Sequence, residues 1–145
     1  MLFFNSWDEM QEGDIIEFSR TFNDGDVANF TGTTGDFNKF HIDEIAAQKC
    51  GFKKRIVPGL LTGGMLTHAG GTLLPEPYVA SKMSFRFLAP VYIGETITAR
   101  VKVTLKQGEK LGLEMICTNQ NGDKVLEGNV FGKIIVLSGK ASREV

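Results

Sequence analysis

The chain has 145 residues, of which 42% are hydrophobic and 23% charged, values typical of one ordinary globular domain. With 16 Lys and Arg against 17 Asp and Glu, the formal net charge is -1, which disfavours a nucleic-acid partner because such modules carry a basic excess. Two cysteines fit a reducing compartment, no signal peptide is evident, and no apolar run approaches the roughly twenty residues of a membrane span. We therefore expect one cytoplasmic domain over residues 1–145, with no membrane partner.

The first half of the chain predicts short elements. Residues 14–22 have the character of a strand, and residues 26–31 that of a short helix. Asp43 is well placed to cap a helix over residues 44–50, because its carboxylate can accept hydrogen bonds from the free N–H groups of the first turn. Gly51 then ends this helix.

A longer helix is predicted over residues 58–74. Pro58 suits a helix start, and Gly70 and Pro75 mark its end. Glycines such as Gly63 are poor helix formers, so a helix that contains them is expected to pack tightly against a sheet. Its apolar residues spread widely around the helix, and we expect much of its surface to be buried: Leu60, Leu61, Met65, Leu66, Ala69 and Leu73.

The second half alternates between apolar and polar side chains, which is typical of half-buried antiparallel strands. Residues 96–106 show the alternation most clearly, and it also marks strands over residues 82–87, from Leu111 onwards and over residues 124–137. We expect these four strands to form a meander. The apolar face of the clearest strand consists of Ile97, Ala99, Val101, Val103 and Leu105.

The order of these elements predicts an α+β domain. Residues 14–22 are expected to join the sheet, and residues 138–145 turn polar and are expected to form a loose tail. An antiparallel sheet wrapped around one apolar helix is the hot-dog arrangement. We therefore predict a hot-dog fold with a helical overhang between the first strand and the central helix.

One stretch of the predicted overhang mixes titratable and apolar residues. Asp36, Asn38 and His41 stand beside Phe37 and Phe40, which indicates a half-buried polar site. A carboxylate and an imidazole can together hold and activate a water molecule, since histidine titrates near neutral pH. On spacing alone, Asx turns and a solvated histidine remain the alternative interpretation.

A metal site fits this stretch poorly. A calcium loop that began at Asp36 would put Phe40 at a ligand position, His41 at the required glycine and Ala47 at the required glutamate. One histidine among carboxylates also lacks the spacing of zinc ligands. We therefore expect no metal.

Residues 55–61 lead into the predicted central helix. The first N–H groups of a helix lack partners within it and attract negative charge. Gly59 has no side chain to block an approaching carbonyl oxygen, which could gain charge there in a transition state. A plain helix start at Pro58 and Gly59 is the alternative.

Three motifs occur in one order along the chain: G-D-F-N-K-F-H at residues 35–41, I-V-P-G-L-L at residues 56–61, and M-S-F-R-F-L-A-P-V-Y-I-G-E at residues 83–95. Together they resemble the MaoC-like (R)-specific enoyl-CoA hydratase and acyl dehydratase family, and the resemblance covers roughly residues 13–137. It implies that Asp36 and His41 are catalytic. They would activate a water that adds across trans-2-enoyl-CoA to give (R)-3-hydroxyacyl-CoA, or run the reverse dehydration.

The resemblance also implies that the overhang carries the catalytic loop and that the Gly59 N–H polarises the thioester carbonyl. It implies no cofactor, because coenzyme A is part of the substrate. Thr67 matches a small hydroxyl residue of the central helix. Lys39 and Pro58 depart from the residues that many members carry, which leaves the substrate choice open. We expect substrate contacts from Asn38, Phe37, Phe40, Val57, Pro58, Thr67, Lys53, Lys54 and Arg55.

The basic run Lys53-Lys54-Arg55 is included because acyl-CoA carries several phosphate charges, and a solvated loop is its alternative. Two other functions share the fold, a thioesterase and a non-catalytic acyl-CoA binding module. Hot-dog thioesterases usually carry an acidic residue in the central helix, and residues 58–74 contain none. Because one unit leaves a sheet edge open, we expect a homodimer or a dimer of dimers.

Overall fold

A computed structural model describes residues 4–136, so the predicted tail over residues 138–145 lies outside the described residues. The chain alternates from strand to helices and back to strands. The elements are β1 (Ile15–Thr21), α1 (Asp24–Thr34), α2 (Lys39–Ile42), α3 (Glu44–Lys49), α4 (Gly59–Gly63), α5 (Met65–Thr72), β2 (Tyr78–Phe87), β3 (Thr96–Gln107), β4 (Lys110–Thr118) and β5 (Lys124–Ile134).

The five strands form one antiparallel sheet in the order β1-β3-β4-β5-β2. The prediction that the first strand joins this sheet is confirmed. The predicted four-strand meander is wrong, because only β3, β4 and β5 follow one another, and β2 pairs with β5. The free edge of β3 is taken by β1, from Ile15 opposite Lys102 to Thr21 opposite Thr96. Residues 88–95 therefore carry the chain from β2, at one edge of the sheet, across to β3, which lies next to the other edge strand.

The buried face of the sheet follows the predicted alternation. Ile97, Ala99 and Val101 are fully buried, and the residues between them face outward. Leu105 departs from the pattern and is only half-buried, because the pairing of β3 with β4 shifts register between Val103 and Leu105. A shift of one residue redirects the side chains that follow it.

The predicted central helix over residues 58–74 is interrupted. It forms α4 and α5 with Gly64 between them, and Gly64 keeps a right-handed backbone. The expected close packing is confirmed at two glycines. A Cβ on Gly70 would lie 2.8 Å from the Tyr78 ring, and one on Gly63 would lie 3.1 Å from the Phe85 ring.

Burial of the central helices is uneven. Met65, Leu66 and Ala69 belong to the core, whereas Leu60 is 60% exposed. The expectation that Leu60 is buried is wrong because its side chain borders an open cavity. With that exception, the helices bury an apolar face against the sheet, and the predicted α+β hot-dog architecture is confirmed.

The helical overhang begins earlier than predicted. Asn23 and Asp26 form a capping box, in which each side chain accepts from the other residue's backbone N–H, so α1 starts at Asp24. The predicted cap of α3 is confirmed, since Asp43 accepts from the N–H groups of Ile45 and Ala46. In residues 4–136, no helix is long and apolar enough to cross a membrane.

Candidate active site

The turn after α1 places the first predicted catalytic residue. Gly35 adopts a left-handed backbone with φ 79°, which ends α1 at little steric cost. Asp36 follows at once. Its Oδ1 accepts from the Asn38 N–H at 3.3 Å, and its own N–H donates to the Thr34 hydroxyl. This Asx turn was the simpler alternative for Asp36, and the structure shows that one carboxylate oxygen serves it.

His41 lies on α2, a single helical turn that the sequence did not predict. Its side chain is almost fully buried, and Nδ1 lies 2.7 Å from the carbonyl oxygen of Ile56. Since a carbonyl oxygen only accepts, Nδ1 carries the hydrogen in this bond. The Phe40 ring packs edge-on against the imidazole. The alternative of a solvated histidine is therefore excluded, and in the neutral ring Nε2 is left as an acceptor.

Nε2 of His41 lies 3.5 Å from Oδ2 of Asp36. When the imidazole is neutral and the carboxyl ionised, both atoms are acceptors and cannot bond to each other. A water molecule about 2.8 Å from each atom could donate one O–H to each, which leaves its lone pairs free. The Asp36 side chain is half-exposed to solvent, whereas the His41 side chain is buried, so Asp36 is the member of the pair nearer the solvent.

Gly59 is the first residue of α4 and follows Pro58, whose side chain cannot cap the helix. A Cβ on Gly59 would lie 2.6 Å from Cε1 of Phe87, so the ring occupies the space that a side chain would need. The absence of a side chain thus lets β2 and the helix start approach each other. The N–H groups of Gly59 and Leu60, the first two of α4, have no acceptor within the helix.

One cavity of about 600 Å³ contains Asp36, His41 and Gly59 in its walls. Phe40, Val57 and Pro58, three of the predicted substrate-binding residues, also line it. The size suits a small-molecule site, and most of the wall is hydrophobic. The remaining lining residues are Phe30, Thr34, Phe52, Ile56, Leu60, Thr62, Phe87, Leu88, Ala89, Pro90, Val91, Val125 and Leu126.

Three predicted substrate-binding residues lie outside this cavity wall. Phe37 is 58% exposed, and Asn38 is exposed at the cap position of α2. Thr67 lines a different hollow with His68, and its hydroxyl donates to the Gly64 carbonyl. Thr67 belongs to α5, after the interruption at Gly64, whereas the central-helix residues that line the cavity belong to α4.

The basic run also lies outside the cavity wall. Lys53 and Lys54 are exposed on the loop that leads to α4. Arg55 is half-buried and forms an ion pair with Asp24 at the start of α1. Its guanidinium thus has a structural partner that the sequence analysis missed.

Several wall residues were missed from the sequence because they come from distant elements. Phe87 and Val91 belong to the third motif, which was quoted for its resemblance but not assigned to the site. Thr62 could have been found from its spacing, since it lies three residues after Gly59 and shares its helix face. Val125 and Leu126 enter the wall only through the pairing of β5 with β2.

Burial shifts the pKa of titratable side chains outside the cavity wall, among them His68 and Cys117. Burial, with a smaller contribution from the Arg20 charge, lowers the pKa of His68 from its ordinary 6.5, and its ring packs against Phe18. Burial raises the pKa of the Cys117 thiol to about 12, so it stays protonated at neutral pH.

Within the described residues, no cluster of three or more His, Cys, Asp or Glu side chains could hold a metal ion.

Known proteins are similar to this chain in sequence and in architecture. The profile described as MaoC like domain matches residues 9–124. The chain is 35% identical over 130 residues to the (R)-specific enoyl-CoA hydratase of Rhodospirillum rubrum. This alignment covers 88% of this chain and 90% of the relative. It is 32% identical to the 3-hydroxybutyryl-CoA dehydratase of Methylorubrum extorquens, with 88% and 83% covered. The solved (R)-hydratase from A. caviae involved in PHA biosynthesis superposes with a TM-score of 0.82 at 27% identity, covering 87% of this chain and 98% of that one.

The bond between His41 and Ile56 predicts the tautomer of the neutral imidazole. We expect the hydrogen on Nδ1 and none on Nε2, because Nδ1 donates to a carbonyl oxygen. Long-range ¹H–¹⁵N correlation NMR of the ¹⁵N-labelled protein, at a pH where the ring is neutral, measures this directly. His68→Gln identifies the second histidine's signals. Finding the hydrogen of His41 on Nε2 would contradict the geometry.

Proposed function

The chain belongs to the MaoC-like domain family, and on that premise we propose that it is a hydro-lyase that adds water to trans-2-enoyl-CoA thioesters and runs the reverse dehydration. The observation that carries the proposal is the Asp36–His41 pair in the wall of an apolar cavity that is also lined by Gly59 at the start of α4. We propose the (R)-3-hydroxyacyl-CoA as the product. The names of the relatives support this stereochemistry.

The proposed reaction uses the water that the pair can hold. The water oxygen bonds to Cβ of the enoyl group as the double bond opens, and one of the two acceptors takes a proton from that water. The electron pair moves to the thioester oxygen, which the Gly59 N–H stabilises as charge develops there. The protonated group then delivers the proton to Cα, so Asp36 and His41 return to their starting states.

The alternatives on the same fold receive less support. Residues 58–74 contain no Asp or Glu, and the described wall of the cavity holds one carboxylate, Asp36. A hydrolase that needs an acidic residue on the central helix therefore lacks it in this chain. A pure binding module has no need of a buried imidazole aligned by a main-chain bond, as His41 is.

Asp36→Asn tests the proposal. We expect kcat/KM for crotonyl-CoA to fall by about 10²–10⁴-fold, because the amide cannot take up a proton. Loss of the enoyl absorbance follows the reaction. Asp8→Asn, a change of the same chemistry at an exposed site, should keep full activity. Near-normal turnover by Asp36→Asn would contradict the assignment, and release of free thiol by the unchanged enzyme would favour a thioesterase.

We also propose that Lys53 and Lys54 meet the phosphate groups of coenzyme A. Both are exposed beside the segment that forms the cavity wall at Ile56 and Val57. Lys53→Glu/Lys54→Glu should raise KM for crotonyl-CoA several-fold and leave kcat unchanged, since a charge contact remote from the double bond strengthens binding uniformly. The control Lys102→Glu/Lys110→Glu has the same net charge. An equal KM in the two double variants would contradict this contact.

We propose that the chain works as a homodimer or a dimer of dimers. Leu60, Phe87 and Leu88 are large apolar residues at the rim of the cavity, and each is more than 40% exposed. Such grouped exposure is typical of an interface. The strands β1 and β2 are the sheet edges. Light scattering should give at least twice the 15.9 kDa mass of one chain, and a monomer mass at micromolar concentration would contradict the proposal.

A further inference from the structure

Thr62 carries a buried hydroxyl with no hydrogen-bond partner. The residue lies in α4 and is 1% exposed. Among residues 4–136, its Oγ1 is the one buried side-chain oxygen or nitrogen without a partner. Burying an unpaired hydroxyl is destabilising, and most such groups in proteins are paired. The site already described makes no use of this hydroxyl.

Thr62 does not make the hydrogen bond that is usual for a threonine in a helix. Threonine hydroxyls commonly donate to a backbone carbonyl one turn earlier. Thr31, Thr34 and Thr67 each do so. The Pro58 carbonyl, four residues before Thr62, already accepts from two N–H groups, at 3.0 Å and 3.3 Å. The Thr62 hydroxyl donates neither to this carbonyl nor to that of Gly59, three residues before it. The hydroxyl therefore remains free to bond to a group from outside the helix.

The position of Thr62 indicates what that group is. Thr62 lines the cavity that also contains Asp36, His41 and Gly59. It follows Gly59 by three residues, so the two share one face of α4, and helical side chains lean toward the helix N-terminus. The hydroxyl and the N–H groups at the start of α4 thus lie on one side of the cavity.

We propose that the Thr62 hydroxyl is a second hydrogen-bond donor to the thioester carbonyl oxygen, beside the Gly59 N–H. This inference rests on the proposed function. No bond is made or broken at Thr62. The hydrogen bond from its hydroxyl to the thioester oxygen becomes stronger as the electron pair moves to that oxygen. It becomes weaker again when the proton is delivered to Cα and the carbonyl re-forms.

Thr62→Val and Thr62→Ser separate this role from packing. Valine matches the shape of threonine but has no donor, so kcat for crotonyl-CoA should fall by about 10²-fold with a smaller change in KM. Thr62→Ser should restore most of kcat. Because valine removes the unpaired hydroxyl, Tm of Thr62→Val without substrate should rise by about 2–4 °C. Unchanged kcat in Thr62→Val would overturn the inference, and so would a loss that serine does not repair.

A binding experiment tests the same contact without turnover. Calorimetry compares butyryl-CoA, which has the thioester oxygen, with S-butyl-CoA, a thioether that lacks it. Thr62→Val should weaken butyryl-CoA binding about fivefold and leave S-butyl-CoA binding unchanged. Equal losses for the two ligands would overturn the inference, because they would show a packing role. If the unchanged enzyme failed to hydrate crotonyl-CoA, the proposed function would fail, whereas this comparison would still report on Thr62.

Discussion

The site depends on one hydrogen bond, from Nδ1 of His41 to the carbonyl oxygen of Ile56. It joins α2 to the segment that leads into α4. Two further hydrogen bonds hold the same segment: the Ile56 N–H donates to the Phe40 carbonyl of α2, and the Val57 N–H donates to the Val91 carbonyl. One short stretch of backbone, Ile56 and Val57, therefore fixes the positions of three parts of the site. These are the His41 imidazole, the start of α4 and the cavity wall at Val91. A shift of that stretch would change the distances among all three.

Anchoring His41 through one nitrogen decides the chemistry of the other. With its hydrogen committed to Ile56, the neutral ring presents Nε2 to Asp36 as an acceptor. The Asp36 carboxylate is anchored in the same way, since Oδ1 accepts from the Asn38 N–H and Oδ2 faces the ring. Each side chain thus uses one polar atom for orientation and keeps one for the cavity. The backbone bonds to Asn38 and Ile56 thus hold the two side chains in a fixed orientation before any substrate binds.

The features that could be predicted from the sequence are those that depend on residues close together in the chain. Alternation predicted the buried face of β3, and Asp43 was correctly assigned as a helix cap. The partner of β2 could not be predicted, because strand pairing is set by contacts far apart in the chain. The four residues of α2 are too few for intrinsic propensity to show, and tertiary bonds such as the one from His41 stabilise this turn. The cavity wall was only partly predicted, since Val125 reaches it through the sheet.

Polar groups that shape the fold have hydrogen-bond partners within the chain, whereas several polar groups at the site do not. In the described part of the chain, the groups that shape the overhang are paired locally, as Asn23 and Asp43 show. Several polar groups with unused hydrogen-bonding capacity line one cavity: Nε2 of His41, Oδ2 of Asp36, the Gly59 N–H at the start of α4 and the Thr62 hydroxyl. Leaving Thr62 unpaired lowers stability in the empty protein. Such a cost is expected where a ligand later supplies the missing partner, because the donor is then already oriented when charge develops on the ligand.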